Sequence, residues 1–559
     1  MFSQENPVNR SAVDEINIRH TILIALVVLG GALLRLFMLT NQSLWYDEGL
    51  SLVATDSKTL SGTFDALAGR TGGDKYQPLY FFVLSAWRSV VGDSEFSLRA
   101  LSVLPGIVAL FFMYATVANS YGSRHAFWST TYLTVSAFWI CYSQEVRPYS
   151  LLFALAAIQL FLLSEIFSGS PAKKSRLALF AVATGVSCFA SILLAVFTVA
   201  LAVAHVTISQ SVRGWLKWWV PAALACIPAL VYLLGTPVVS GLTDSTNGLG
   251  IPLYKNSLFA IYGILVGHTY GPPLEALRES GNVLHGILQH AWALVAFAVA
   301  CGVLFVGFLS AQNPFATEFR KEHGQAPGSK PTRFFLVTLL CSFCLAILVA
   351  KVSAINWMPR HSFYLSIPLA ILLPLAFSGQ PLRSSTDLSS NSTSITTRWF
   401  INRSAHVAFI WLLAMNLYAS YNYFYKSEYW RDDYRSAAGY LATELNETDR
   451  AIMLWGEPRL LSYYGDPITQ KYWSVDPSPV STVMDGVHSD GGNVFVAINR
   501  EFTWSRGLPT SDNLETQVAE KYNLISVKRY VNFNIYEFEN ISTTQNDTLV
   551  EDSANIQTM

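Results

Sequence analysis

Apolar residues come in blocks of about twenty along most of this chain, separated by short polar turns, until the pattern stops near residue 425. The blocks lie near 21–40, 96–118, 125–143, 149–168, 177–192, 193–208, 215–236, 285–310, 334–351, 361–378 and 404–424. At about 1.5 Å per residue, a block of this length makes about 30 Å of helix, enough to cross a bilayer. The run from 177 to 208 is too long for one crossing, and basic clusters flank both its ends. It must therefore cross an even number of times, and the pattern predicts two short helices broken between Gly185 and Ser191. Eleven spans result.

Basic residues orient them. Arg10 and Arg19, Arg124, Lys173 with Lys174 and Arg176, Arg213 with Lys217, Arg320 with Lys321, Lys330 and Arg333, then Arg383, Arg398 and Arg403 fall on one side if the N-terminus is cytoplasmic. Residues 1–20 form a polar lead, and no small-residue cleavage site follows Met38, so the first span reads as an uncleaved anchor behind a cytoplasmic tail. An odd number of crossings places everything after 424 outside.

That tail has another character. Residues 433–446 have helical spacing, 451–455 and 493–498 read as buried strands, and 524–538 as an antiparallel pair, so 425–540 is expected to be an outer-face α/β domain. Residues 541–559 lack the apolar content to fold. Between spans, 237–284 reads as a long outer loop and 379–403 as a Ser/Thr-rich cytoplasmic one. Within the first outer loop, 41–95, the apolar stretch 78–91 is too short to span and is expected to lie along the membrane surface. The expected fold class is mostly α: a polytopic membrane bundle carrying a C-terminal α/β domain.

Composition agrees with the pattern, at 52% hydrophobic against 13% charged residues. A net charge of −1 supplies no basic field for nucleic acid. Cys141, Cys188, Cys226, Cys301, Cys341 and Cys344 all fall in apolar spans, where a free thiol acts as a small apolar filler, and their spacing suggests neither a disulfide framework nor a zinc site.

Candidate chemistry gathers at three outer turns. Trp45-Tyr46-Asp47-Glu48 follows the first span; Gln144, Glu145 and Arg147 stand in YSQEVRPYS; Lys351, Arg360 and His361 bound KVSAINWMPRH. The segments SLWYDEGLSL, QPLYFFVLSAWRSVVGDSEFSLRALSVLPG, YSQEVRPYSLLFAL and MPRHSFYLSIPLAILLP resemble the GT-C superfamily. The resemblance, over about residues 20–425, is to bacterial family-39-like glycosyltransferases related to protein mannosyltransferases and lipid A aminoarabinose transferases. It implies an inner-membrane enzyme that takes a sugar from a polyprenyl-phosphate carrier on the outer face and passes it to a lipid, glycan or protein acceptor. It also implies Asp47 as catalytic base with Glu48 beside it, and substrate contacts from Gln77 and the SQExRPY turn. Many relatives have His-Pro-Pro or Gln-Pro-Pro where this chain has Tyr76-Gln77-Pro78.

The chemistry such a reaction needs is modest. The phosphate is already a good leaving group, so one carboxylate to deprotonate the acceptor hydroxyl and cations to hold the phosphate suffice. Arg147, Arg360, Lys351 and Arg99 are candidate cations, and His361 another. A divalent metal bridging acids and phosphate is compatible with these residues, but no spaced ligand cluster demands one. Bland readings stand beside these: Asp47 as a helix N-cap, Gln144 to Arg147 as a stitched turn, Trp45 and Tyr46 as interface anchors, Arg35, Arg99 and Arg360 as snorkelling cations. Trp430-Arg431-Asp432-Asp433 reads as a domain junction. The rival function, a transporter or flippase, predicts ionisable residues near mid-membrane and paired interrupted spans. Here the charges collect at the outer edge, without internal symmetry.

Overall fold

The structure, a computed structural model, describes residues 7–69, 73–167, 172–235, 253–273, 287–312, 329–352, 358–377, 392–454, 456–465, 471–474, 484, 492–499, 514, 518 and 521–540. The chain begins with α1 (Pro7–Leu36), then α2 (Tyr46–Ala54), α3 (Leu60–Ala68) and α4 (Pro78–Val91). Next come α5 (Glu95–Tyr121), α6 (Ser123–Val135), α7 (Ala137–Ser143), α8 (Tyr149–Leu163), α9 (Lys174–Ala190) and α10 (Ile192–Ile208). They are followed by α11 (Val212–Ala225), α12 (Ile227–Gly235), α13 (Leu253–Val266), α14 (Ala291–Gln312), α15 (Ser329–Val352), α16 (Phe363–Leu372) and α17 (Ser392–Tyr425).

Among the described residues, six helical stretches are long and apolar enough to cross a membrane: Glu95–Tyr121, Tyr149–Phe167, Val212–Gly235, Ala291–Gln312, Lys330–Val349 and Pro359–Phe377. A chain with these is a multi-pass membrane protein. Elsewhere the helices depart from the expected blocks. α1 starts at Pro7, a favoured first helical residue within the polar lead, and no proline or glycine interrupts it before Gly30; residues 1–6 lie outside the described residues. The block 125–143 breaks at Ser136, whose freed neighbour Ala137 N–H is taken by Asn416 Oδ1 of α17 at 3.1 Å. The run 177–208 does divide, at Ser191, which is extended and caps α10 by accepting from Leu193 N. Within the expected outer loop 237–284 lies α13, whose apolar stretch is too short to stand out among the spans.

Past α17 come α18 (Tyr434–Glu444), β1 (Arg450–Leu454), α19 (Pro458–Tyr464), β2 (Lys471–Ser474), β3 (Val494–Asn499), β4 (Tyr522–Tyr530) and β5 (Phe533–Asn540). The sheet order is β2-β1-β3-β5-β4. β1 runs parallel to β2 and β3, while β5 is antiparallel to β3 and β4. The β4–β5 hairpin turns through Val531 and Asn532, with Asn532 at φ 52°, a conformation asparagine tolerates. Residues 541–559 lie outside the described residues.

This unit shares a core with residues from the segment 41–95. Leu44, Leu52, Tyr80 and Leu84 pack in one cluster with Tyr434, Leu441, Met453, Leu460, Phe495 and Phe533. At the centre of that contact, a Cβ on Gly49 of α2 would stand 2.6 Å from Glu457 Cγ and 2.7 Å from Leu460 Cγ. Gly49→Val is therefore expected to unseat α19 from α2 at about 1–3 kcal/mol, the usual cost of overpacking. Thermal unfolding of the purified protein in detergent reads this directly. A melting temperature equal to the wild type would show that α19 yields instead.

Candidate functional site

α2 opens the site, and its first turn separates the two acids. Trp45 is extended (φ −109°, ψ 176°), and the helix starts at Tyr46. Glu48, at the third helical position, reaches back so that its Oε2 accepts from Trp45 N at 3.1 Å, the acid half of a capping box. Capping thus falls to Glu48 rather than Asp47. Glu48 is fully buried and also accepts from Arg99 Nη2 (2.7 Å), Arg99 Nε (3.0 Å) and Val146 N (2.8 Å). Four donors thus surround one carboxylate.

Arg99 is equally committed. Besides Glu48 it donates to the carbonyls of Leu39 (2.9 Å), Gln42 (2.8 Å) and Ser43 (3.0 Å), pinning the chain between α1 and α2. Arg35 does not snorkel either: it is buried and donates to the carbonyls of Gly31 (3.0 Å) and Leu133 (3.1 Å). Gln144 Nε2 donates to the carbonyls of Arg35 (3.0 Å) and Phe37 (2.9 Å), closing the open end of α1. Arg147 pairs with Asp74 at 2.7 Å and donates to the carbonyl of Asp47 at 3.1 Å. These four polar side chains fix the backbone that carries Asp47.

Asp47 itself has a different partner. Its Oδ2 meets Arg360 Nη1 at 3.1 Å, and both side chains stay partly open, 14% and 25% exposed. Arg360 comes from the turn before α16, so that turn and the start of α2 meet at this pair. Trp45 is not a headgroup anchor. Only 4% exposed, its ring lies 5.9 Å from the Arg360 guanidinium and 4.3 Å from that of Arg431.

Arg431 was legible only as a junction residue, part of a charged cluster just past the last span. In the structure it pairs with Glu145 at 3.0 Å, so Arg431 links the turn between α7 and α8 to the Trp45 ring. Glu145 Oε2 is buried without a hydrogen-bond partner. Burial pushes the Glu145 carboxyl above its ordinary value against the pull of Arg431. His268, in the turn after α13, is pushed down to about 3 by burial and then by Arg431. A carboxyl raised on folding binds more protons folded than unfolded, so it lowers stability as pH rises from its ordinary value towards the raised one. Across that window the wild type is expected to lose stability relative to Glu145→Gln, as melting temperatures taken over a pH series would show. Parallel curves would mean that Glu145 stays charged throughout.

The remaining candidates are less central. Gln77 precedes α4 and is buried, its amide oxygen without a hydrogen-bond partner. His361 Nδ1 accepts from Met358 N at 3.3 Å, bracing its own turn. Lys351 is exposed near the end of α15, next to residues 353–357, which lie outside the described residues. Lys75, not singled out from sequence, is wholly buried beside Asp74. Among the described residues, no three His, Cys, Asp or Glu side chains are grouped to hold a metal ion.

No protein-family model matches this chain, and no curated protein sequence does. Solved structures do. ArnT from Cupriavidus metallidurans bound to undecaprenyl phosphate superposes with a TM-score of 0.50 at 14% identity, covering 92% of this chain and 97% of ArnT. The chain has the GT-C fold. Other GT-C structures align more loosely. The oligosaccharyltransferase AglB from Archaeoglobus fulgidus covers 92% of this chain and 74% of its own at TM-score 0.44 and 11% identity. The Pmt1-Pmt2 protein O-mannosyltransferase of S. cerevisiae covers 39% and 33% at 0.32 and 15%.

Proposed function

We propose that this protein is an inner-membrane glycosyltransferase that moves a sugar from polyprenyl phosphate to a lipid, glycan or protein acceptor on the outer face. The observation that carries this reading is the Asp47–Arg360 pair, the acid and cation the reaction requires, partly open and held by a rigid surround. The GT-C fold supports it, since ArnT of that fold was solved with undecaprenyl phosphate bound.

In this mechanism the guanidinium of Arg360 turns from Asp47 to the incoming phosphate, which frees the carboxylate. Asp47 then takes the proton of the acceptor hydroxyl as its oxygen attacks the anomeric carbon. The bond from that carbon to the phosphate oxygen breaks, and Arg360 stabilises the charge that develops there. Attack opposite the leaving group inverts the anomeric carbon. Glu48 and Arg99 act as positioning residues, because their hydrogen-bonding groups are taken by one another and by the backbone. Eleven crossings, a cytoplasmic N-terminus and an outer C-terminal α/β domain complete the proposal.

The test uses membranes containing the protein and a panel of polyprenyl-phosphate-linked hexoses and pentoses. Release of free polyprenyl phosphate above that of empty membranes is expected with at least one donor. No release with any of them, together with unchanged envelope glycans in cells lacking the protein, would overturn the reading.

A further inference from the structure

Cys188, near the end of α9, and Cys226, at the break between α11 and α12, face each other with their sulfurs 3.3 Å apart. The helices touch at this point. A Cβ on Gly185, one turn before Cys188, would stand 2.4 Å from the carbonyl oxygen of Ala225, the residue before Cys226. Glycine alone permits so close an approach. Both cysteines are half-buried, and Cys226 lies within the apolar stretch Val212–Gly235, so the oxidant used to test them must be membrane-permeant.

We infer that Cys188 and Cys226 form a dithiol that closes to a disulfide between α9 and the α11–α12 break. Closure breaks two S–H bonds, makes one S–S bond, releases two protons and passes two electrons to an oxidant of the quinone or disulfide class. The sulfurs need move together by only about 1.3 Å to reach the bonded distance of about 2.05 Å. The tie would fasten a shelf beneath the first outer loop. Phe189, next to Cys188, stacks on Phe82 of α4 at 6.4 Å and meets Tyr232 of α12 at 5.5 Å. Tyr232 in turn meets Phe64 of α3 at 6.1 Å. One bond between α9 and α12's base therefore braces both helices on which α3 and α4 rest.

The experiment uses native membranes containing the full chain, treated with the thiol oxidant diamide, then with N-ethylmaleimide under denaturing conditions, and analysed by peptide mass spectrometry. The Cys188 and Cys226 peptides are expected to lose alkylation together and appear as one linked species that dithiothreitol reverses, while Cys141, Cys301, Cys341 and Cys344 stay alkylated. In Cys226→Ser, Cys188 is expected to remain alkylated after diamide; should that variant fail to insert, the wild-type measurement decides alone. Full alkylation of both cysteines after diamide, or either of them joined to a different cysteine, would overturn the inference.

Discussion

Asp47→Asn is expected to lower kcat by about 10²–10⁴-fold, the range that a positioned general base contributes, with donor binding and folding nearly intact. The substitution keeps shape and removes only basicity and charge. Its structural cost is expected to stay modest because the pair is partly open and the asparagine carbonyl can still accept from Arg360. The measurement is the initial rate of sugar transfer with purified donor, alongside expression level and melting temperature. Turnover within a few-fold of the wild type would remove Asp47 from the mechanism.

Its neighbour should fail in the opposite way. Glu48→Ala leaves the Arg99 guanidinium buried without a counter-charge and strips the N–H groups of Trp45 and Val146 of their acceptor. Breaking one side of a buried pair costs about 3–5 kcal/mol, a large share of the stability of most proteins. Little folded protein should accumulate in the membrane, and what does should melt early. Glu48→Gln is expected to suffer nearly as much, because its amide N–H group would face donors. A Glu48→Ala protein that melts like the wild type yet transfers no sugar would shift the base from Asp47 to Glu48.

Why adjacent acids take such different parts could not be read from their position in the chain. Both follow the first span, both are acidic, and either suits the first turn of a helix. What divides them is long-range: Glu48 meets a residue of α5, and Asp47 one from the turn before α16. Periodicity carries no information about such pairings. It did carry the apolar blocks, and the buried runs at 451–455 and 493–498, where β1 and β3 are found, because continuous burial leaves a compositional trace. Breaks inside apolar runs leave almost none: Ser136 and Cys226 look like ordinary small residues until Asn416 or a neighbouring helix is seen beside them. The edge strand β2 and the short α19 were silent for a similar reason, being too brief to show a period. Arg431 had a visible signal, a charged cluster just past the last span, but nothing in the cluster said that its guanidinium would lie over Trp45.

The hydroxyl of Ser43, in the first outer loop, donates to the carbonyl of Asp432 and accepts from the N–H of Tyr434, while Asp432 in turn accepts from Asn499 of β3. Ribosomes make the acid-bearing loop early and its clasp late, with nearly the whole bundle synthesised in between. During translation the loop therefore has its contacts to Arg99 and Arg147 first, and gains this clasp only when β3 has been made. A molecule stalled or clipped before residue 499 would keep the contacts that Arg99, Gln144, Arg147 and Arg360 make around Asp47 but would lack the Asn499 amide that holds Asp432, so the last-made part of the chain acts as a clasp on a site already built.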